Sequence, residues 1–256
     1  VSAALLTMST LEMIFLIDVI TAAIAILILV LLLRIPAHKK ASEQPTVSYF
    51  RDLKQGLSYI VKQDFLRAFF LFFALFFILM APAAFLTPLQ VTRSFGDDVW
   101  RLTAIEIAFS VGMMAGGGAI AAWGGFRNKV HTMAFATLIM GVCTVALGIV
   151  PSFWVYLFFM AVFGVAMPIF NTPTTVLVQE KVDGDYLGRV FGVFGMISTS
   201  MMPVGMLMFG PIADIIAIEW LLVGTGLFIL ILSLLLSRNK PLLEAGKPAA
   251  AETTLR

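Results

Sequence analysis

Long apolar runs alternate with short polar connections along this chain, and the apolar runs share one length. Crossing about 30 Å of hydrocarbon at about 1.5 Å per residue takes about 20 apolar residues in helical form. Seven segments reach that length: Met13–Leu33, interrupted by Asp18; Ala68–Leu89, dense in Phe; Leu102–Trp123, with Glu106 near its start; Thr132–Val150; Phe153–Leu177; Val190–Ala213, closed by Asp214; and Trp220–Ser237. They are too long and too evenly apolar for buried strands or barrel strands. The pattern predicts an all-α membrane protein with seven transmembrane helices.

The longest polar interruption, Arg34–Arg67, has two parts. RIPAHKKASEQPT has the Pro, charge and small polar residues of a linker. After it, Phe50, Leu53, Leu57, Ile60 and Val61 share one helical face opposite Arg51, Lys54, Ser58 and Lys62. Two placements stand for this amphipathic helix: lying at the inner membrane surface, or packed against the underside of the bundle.

Composition agrees with the pattern. Hydrophobic residues make up 60% of the 256, charged residues only 12%, and mean hydropathy is +1.00. Soluble domains carry roughly 25% charged residues, so soluble enzymes, disordered chains and nucleic-acid binders are excluded as classes. The single Cys143 leaves no disulfide framework and no cysteine zinc site. HExxH and GxSxG are absent, and His38 and His131 fall in separate polar loops. No metal, cofactor or hydrolytic chemistry is expected.

Charge then orients the spans. Fifteen of the 17 basic residues fall in alternate connections, from Arg34 to Arg67, at Arg127 and Lys129, at Lys181 and Arg189, and after Ser237; Arg93 and Arg101 are the two left. The positive-inside rule makes the first set cytoplasmic and the C-terminus with it. Trp100, Trp123, Trp154 and Trp220 fall at span ends, where amphipathic rings sit. Val1–Thr10, VSAALLTMST, is apolar and lacks the basic start of a signal peptide, so it reads as the outer end of an earlier helix. The expected organisation is the end of a fifth helix and a sixth span over 1–33, a cytoplasmic linker over 34–67, a six-helix bundle over 68–237 and a cytoplasmic tail over 238–256. Six spans, a linker and six spans is a common plan of secondary transporters, and the chain would be the C-terminal part of one.

The most specific stretch is NTPTTVLVQEKVDGDYLGRVFGVFGMISTSMMPVGMLMFGPIAD, Asn171 to Asp214. Its Gln179, Gly188, Arg189, Val190, Pro203, Gly210 and Asp214 resemble the tenth helix, ten–eleven loop and eleventh helix of the major facilitator superfamily, in the branch of macrolide-efflux proteins and the enterobactin exporter. FLIDVITAAIAILILVLLLRIP, with Asp18, is similar to that branch's sixth helix, and FRDLKQGLSYIVKQDFLRAF to its linker. The resemblance covers Val1 to about Leu236 and implies a twelve-helix fold of which this chain holds the sixth helix and the second half. GGGAIAAWGGFRNKVH departs from the superfamily's loop motif: Arg127 and Lys129 are kept and the acidic residue is lacking, so a charge lock at the inner gate is in doubt in this half.

Charged groups inside a bilayer cost roughly 2.5–3.5 kcal/mol, so the survivors are candidates. Asp18, about 8–10 Å inside its span by helical rise, is either a proton-coupling carboxylate or a structural one. Glu106, one turn below the outer end, is placed to pair with Arg101 or Arg93. Asp214, near Glu219, is an outer-gate or capping residue. Asn171 and Gln179 flank Pro168 and Pro173, where freed carbonyls or a discontinuous helix would line a transport site, or where Asn171 would bond a neighbouring helix. Met202, with the Met and Phe residues around it, offers an adaptable apolar wall or simply packs. Gly112, Gly116, Gly117 and Gly118 have small-residue spacing for close helix approach. Gly188 and Arg189 would set the inner turn and meet a lipid phosphate or a carboxylate.

The resemblance implies proton-coupled efflux of small amphipathic molecules by alternating access. The partners would be such a substrate, the lipid bilayer, protons and the N-terminal half. A reading of another class stands beside it: a truncated, non-transporting membrane remnant or scaffold.

Overall fold

The computed structural model describes residues 16, 19–24, 26–28 and 49–248. It divides into two units, Val1–Val47 and Ser48–Arg256. In the first, 19–24 and 26–28 are helical and their large apolar side chains are exposed. Asp18 and most of the expected first span lie outside the described residues.

The described residues of the second unit form nine helices: α1 Tyr49–Lys62, α2 Asp64–Phe85, α3 Thr87–Phe95, α4 Val99–Trp123, α5 Lys129–Ile149, α6 Phe153–Lys181, α7 Gly184–Ala213, α8 Ile218–Arg238 and α9 Lys240–Ala245. Six membrane-capable segments result, α2 and α3 together forming one of 32 residues and α4 to α8 the others. They correspond to six of the seven spans expected from the sequence. No strand occurs among the described residues.

Between lipid-solvated helices the hydrophobic effect drives little, so association rests on close fit and interhelical hydrogen bonds. The main pairings are α5 with α8, α4 with α6, α5 with α6, and α2 with α7. The α4–α6 pair is closed by glycines. A Cβ on Gly112 would lie 2.1 Å from the Ala161 carbonyl oxygen, one on Gly116 2.2 Å from that of Val165, and one on Gly164 2.2 Å from that of Phe109. Gly117 and Gly118, expected to share this role, face open space. They follow Gly116 directly, and successive helical residues turn by about 100° away from the contact.

The many Phe residues of α2 have a similar explanation. Phe73 and Phe76 meet Phe170 of α6 at centroid distances of 5.4 and 4.6 Å, and Phe73 meets Phe194 of α7 at 4.9 Å. This joins α2, α6 and α7 in one aromatic core at the basic end of the bundle. A smaller core of Leu86, Val91, Ile105, Leu147, Tyr156 and Leu222 holds the other end. Buried Thr137, Thr144, Thr174 and Thr225 donate to the carbonyl four residues earlier, which settles each hydroxyl within its own helix.

Three local features differ from the sequence expectation. Helix α6 runs unbroken through Pro168 and Pro173, while the discontinuity falls at Leu86, between α2 with Pro82 and α3 with Pro88. Gly188 and Arg189 stand inside α7, whose first residue is Gly184, and not in a turn. Hydropathy marks where lipid begins, and this helix starts before that. The amphipathic α1 divides its apolar face: Gly56 and Ile60 are buried and α1 packs on α7, whereas Leu57 and Val61 stay exposed.

Candidate functional site

Five spans and the α3 extension line a cavity of about 300 Å³. Phe76, Phe77 and Met80 come from α2, Thr87 and Pro88 from α3, Glu106 and Phe109 from α4, Leu147 from α5, Met160, Phe163 and Met167 from α6, and Met202 from α7. Two sequence candidates, Glu106 and Met202, therefore meet at one site. The wall is mostly Phe, Met, Ala and Leu, with Thr87, Pro88 and one carboxylate among the lining residues. Thioether chains are unbranched and polarisable, so such a wall can refit to ligands of different outline.

Helix periodicity extends the site toward the basic end. Met160, Phe163, Met167 and Asn171 recur at three- and four-residue steps on one face of α6, with Thr175 the next step. Asn171 and Thr175 are exposed, one turn and two turns beyond the cavity. On α7, Ser198 and Thr199 lie one turn before Met202. Thr175 donates to the Asn171 carbonyl at 3.0 Å and Ser198 to that of Gly195 at 3.0 Å.

The cavity's other end is tied by a buried amide that sequence reasoning missed. In an α-helix the Leu147 carbonyl would accept from residue 151, but Pro151 has no N–H. Gln90 Nε2 donates to that carbonyl at 2.7 Å, and the Tyr156 hydroxyl donates to Gln90 Oε1 at 2.9 Å. Gln90 is 2% exposed. One side chain thus fastens α3 to α5 and α6 behind the cavity. The orphaned carbonyl could be found from the sequence by counting back four from Pro151; its donor, 57 residues away, could not.

Glu106 does not pair with Arg101 or Arg93. Arg101 Nε is 3.2 Å from Asp98 Oδ2, its Nη1 donates to the Phe95 carbonyl, and its guanidinium lies 5.4 Å from the rings of Trp100 and Phe153. Five residues rotate Glu106 by about 140° from Arg101 on the helix, whereas Asp98 is one turn away. Asp214 caps α7 at its C-terminus and is exposed. Nearby, Ser94 Oγ donates to Glu219 Oε1 at 2.8 Å, joining α3 to α8.

At the basic end the acidic partner lacking from the Arg127–Lys129 stretch comes from another helix. Lys129 Nζ lies 2.8 Å from Glu180 Oε2, so the start of α5 is bridged to the end of α6. Gln179, adjacent, is exposed, as are Arg127 and Gly188. Arg189 lies over the Tyr186 ring at 5.5 Å, and a Cβ on Gly56 of α1 would meet Arg189 Cβ at 3.2 Å. Tyr59 stacks on Tyr186 at 4.3 Å and donates to Asp183 Oδ2 at 2.9 Å. These contacts clamp α1 to the start of α7.

Comparison with known proteins gives the following. A family model described as Major Facilitator Superfamily matches residues 1–206. Macrolide efflux protein A of Streptococcus pyogenes is 29% identical over 234 residues, 90% of this chain and 58% of that protein. Macrolide efflux protein A of Enterococcus faecalis is 29% identical over 208 residues, 80% of this chain and 64% of that protein. Multidrug efflux pump Tap of Mycolicibacterium fortuitum is 27% identical over 159 residues, 59% of this chain and 38% of that protein. The chain thus spans 58% and 64% of the two macrolide efflux proteins.

Proposed function

The chain belongs to the major facilitator superfamily, and from that premise we propose that it supplies one half of an alternating-access exporter of small amphipathic molecules. The observation that carries this reading is the Phe- and Met-walled cavity with Glu106 at its edge. An apolar, refittable wall receives the lipophilic body of a substrate, and one carboxylate offers a place for a cationic group or a proton. Both similar proteins with a named substrate class are macrolide efflux proteins, so macrolide-like drugs are the first compounds to try.

In this mechanism the α2–α7 bundle rocks against a second bundle around a midplane cavity. The line from Met160 through Asn171 to Thr175 is the path by which the cavity opens toward the basic, cytoplasmic side of a cell's inner membrane. Protons are the proposed coupling ion, with Glu106 and Asp18 as the carboxylates to test. Gln179, Asp214, Arg127, Lys129, Gly188 and Arg189 belong in this scheme to the two ends of the path, where the bundles open and close.

Accumulation of a labelled macrolide, measured in cells expressing the gene product that contains this chain, tests the reading. Export should stop when a proton uncoupler is added, and Glu106→Gln should remove most of it at unchanged protein level. Export indifferent to the uncoupler would remove proton coupling. A Glu106→Gln variant that exports normally would remove Glu106 from the mechanism. This chain expressed alone has one wall of the cavity and is expected not to transport.

A further inference from the structure

A second concavity lies at the basic end of the bundle, away from the cavity above, between α2, α8 and α9. It has a volume of about 340 Å³. Its floor is buried: Phe72, Leu232, Leu236 and Leu242 are each no more than 7% exposed. Its sides are Leu71, Leu75 and Leu235, which are 63%, 44% and 60% exposed. From Ala68 to Leu75 it runs along α2 for about 10 Å by helical rise. The mouth is polar, formed by Arg238 and Asn239.

Charge is placed at that mouth and along one side of it. Arg238 is exposed and makes no ion pair among the described residues. On α2, Arg67, Leu71 and Leu75 recur every four residues on one exposed face, so a second cation heads the ridge that forms the opposite wall. Arg67 shares its charge with Asp64 at 3.5 Å, both highly exposed, a pairing worth little in water. The Asn239 side-chain oxygen accepts from Leu242 N at 3.2 Å, so its amide N–H groups remain able to donate to another acceptor.

We propose that this groove holds one anionic phospholipid of the leaflet on the basic side. An acyl chain lies between Leu71, Leu75 and Leu235, and the headgroup phosphate is received by Arg238 and the Asn239 amide, with Arg67 adding long-range attraction. A neutral apolar partner would leave Arg238 unmatched, and a free phosphate would leave the leucine walls unfilled. The occupant must be anionic at one end and aliphatic along about 10 Å, by the same helical rise. Anionic headgroups lodging in basic recesses between transmembrane helices follow the general electrostatics of that leaflet.

The test uses the whole chain in nanodiscs of phosphatidylcholine mixed with phosphatidylglycerol, followed by extraction and counting of the lipid retained. Phosphatidylglycerol should be retained several-fold over its share of the bilayer. Arg238→Gln should lower that preference about fivefold, the weight of one cation near an anionic surface. Arg67→Gln should lower it by less, and Lys247→Gln, on the exposed C-terminal segment, should leave it unchanged. Retention in proportion to the bilayer, or an Arg238→Gln protein as selective as the Lys247→Gln protein, overturns the proposal. Helix content and melting in pure phosphatidylcholine should match across the variants; if Arg238→Gln does not fold, the Arg67→Gln comparison decides alone.

Discussion

Helices α5 and α7 are both apolar spans, yet in an 18-residue apolar stretch of each, 67% of α5 is buried against 17% of α7. The polar residues of α5, Thr137 and Thr144, are buried and bonded within the helix. Those of α7, Thr199 and Ser200, are exposed, as are Ser110 and Glu106 on α4 and Asn171 and Thr175 on α6. Exposed apolar surface is at home in lipid, but exposed hydroxyl, amide and carboxylate groups are not. The difference separates a scaffold pair, α5 with α8, from helices that turn a polar side away from their own bundle. In the proposed exporter, the face on α4, α6 and α7 is the one that would meet water or the second bundle.

Helix α4 carries both kinds of surface within seven residues, which gives the sharpest way to break the comparison. A side chain at Gly112 or Gly116 would collide with α6 backbone, which cannot swing aside as a side chain can. Gly112→Leu should therefore cost about 3 kcal/mol or more, and most of the protein should be lost from the membrane fraction. Gly117→Leu, with nothing within 4 Å, should express and melt normally. Similar melting curves for the two variants in detergent would mean that the α4–α6 seam is not what holds these helices together.

The next largest effect concerns the tie behind the cavity. Gln90→Leu leaves the Leu147 carbonyl and the Tyr156 hydroxyl without their partners, a cost of about 1–3 kcal/mol. Tyr156→Phe removes one bond and should cost about 1 kcal/mol. The decisive comparison is a cycle with Pro151→Ala, which restores an N–H to residue 151. If the orphaned carbonyl is the reason for Gln90, Gln90→Leu should cost less in the Pro151→Ala background, a coupling readable as a shift in unfolding midpoint. Strict additivity would mean that Gln90 is held for Tyr156 alone.

How far the sequence reaches can be seen at these residues. Span positions follow from helix-length hydropathy, so α4, α5, α6 and α8 fall where the apolar runs place them. The break at Leu86 was hidden because residues on both sides of it are apolar, although Pro82 and Pro88 marked it. Glu106 and Met202 were recognised as residue types, but their meeting depends on which faces of α4 and α7 turn inward. Lys129 looked unpartnered because its acid, Glu180, sits 51 residues away on another helix. Interactions local to one helix can be read from spacing; those set by helix packing need the fold.

The Lys129–Glu180 bridge gives the smallest effect and a finer question. Its side chains are 22% and 42% exposed, so the pair itself should add no more than about 1 kcal/mol. Its polarity runs against the helix dipoles: Lys129 opens α5, where an anion is favoured, and Glu180 is in the last turn of α6, where a cation is favoured. Lys129→Glu alone sets two carboxylates together and should lower the unfolding midpoint. Adding Glu180→Lys should bring it back to at least the starting value, because the reversed pair keeps the attraction and now follows both dipoles. If the exchanged protein is as stable as the original but the gene product that contains it fails in the proposed export assay, the native polarity is kept for a contact that only a lysine at 129 makes in the proposed transport cycle. If it exports equally well, the bridge is a latch whose sign is indifferent. An exchanged protein that melts as low as Lys129→Glu would show instead that Lys129 is held by something other than Glu180.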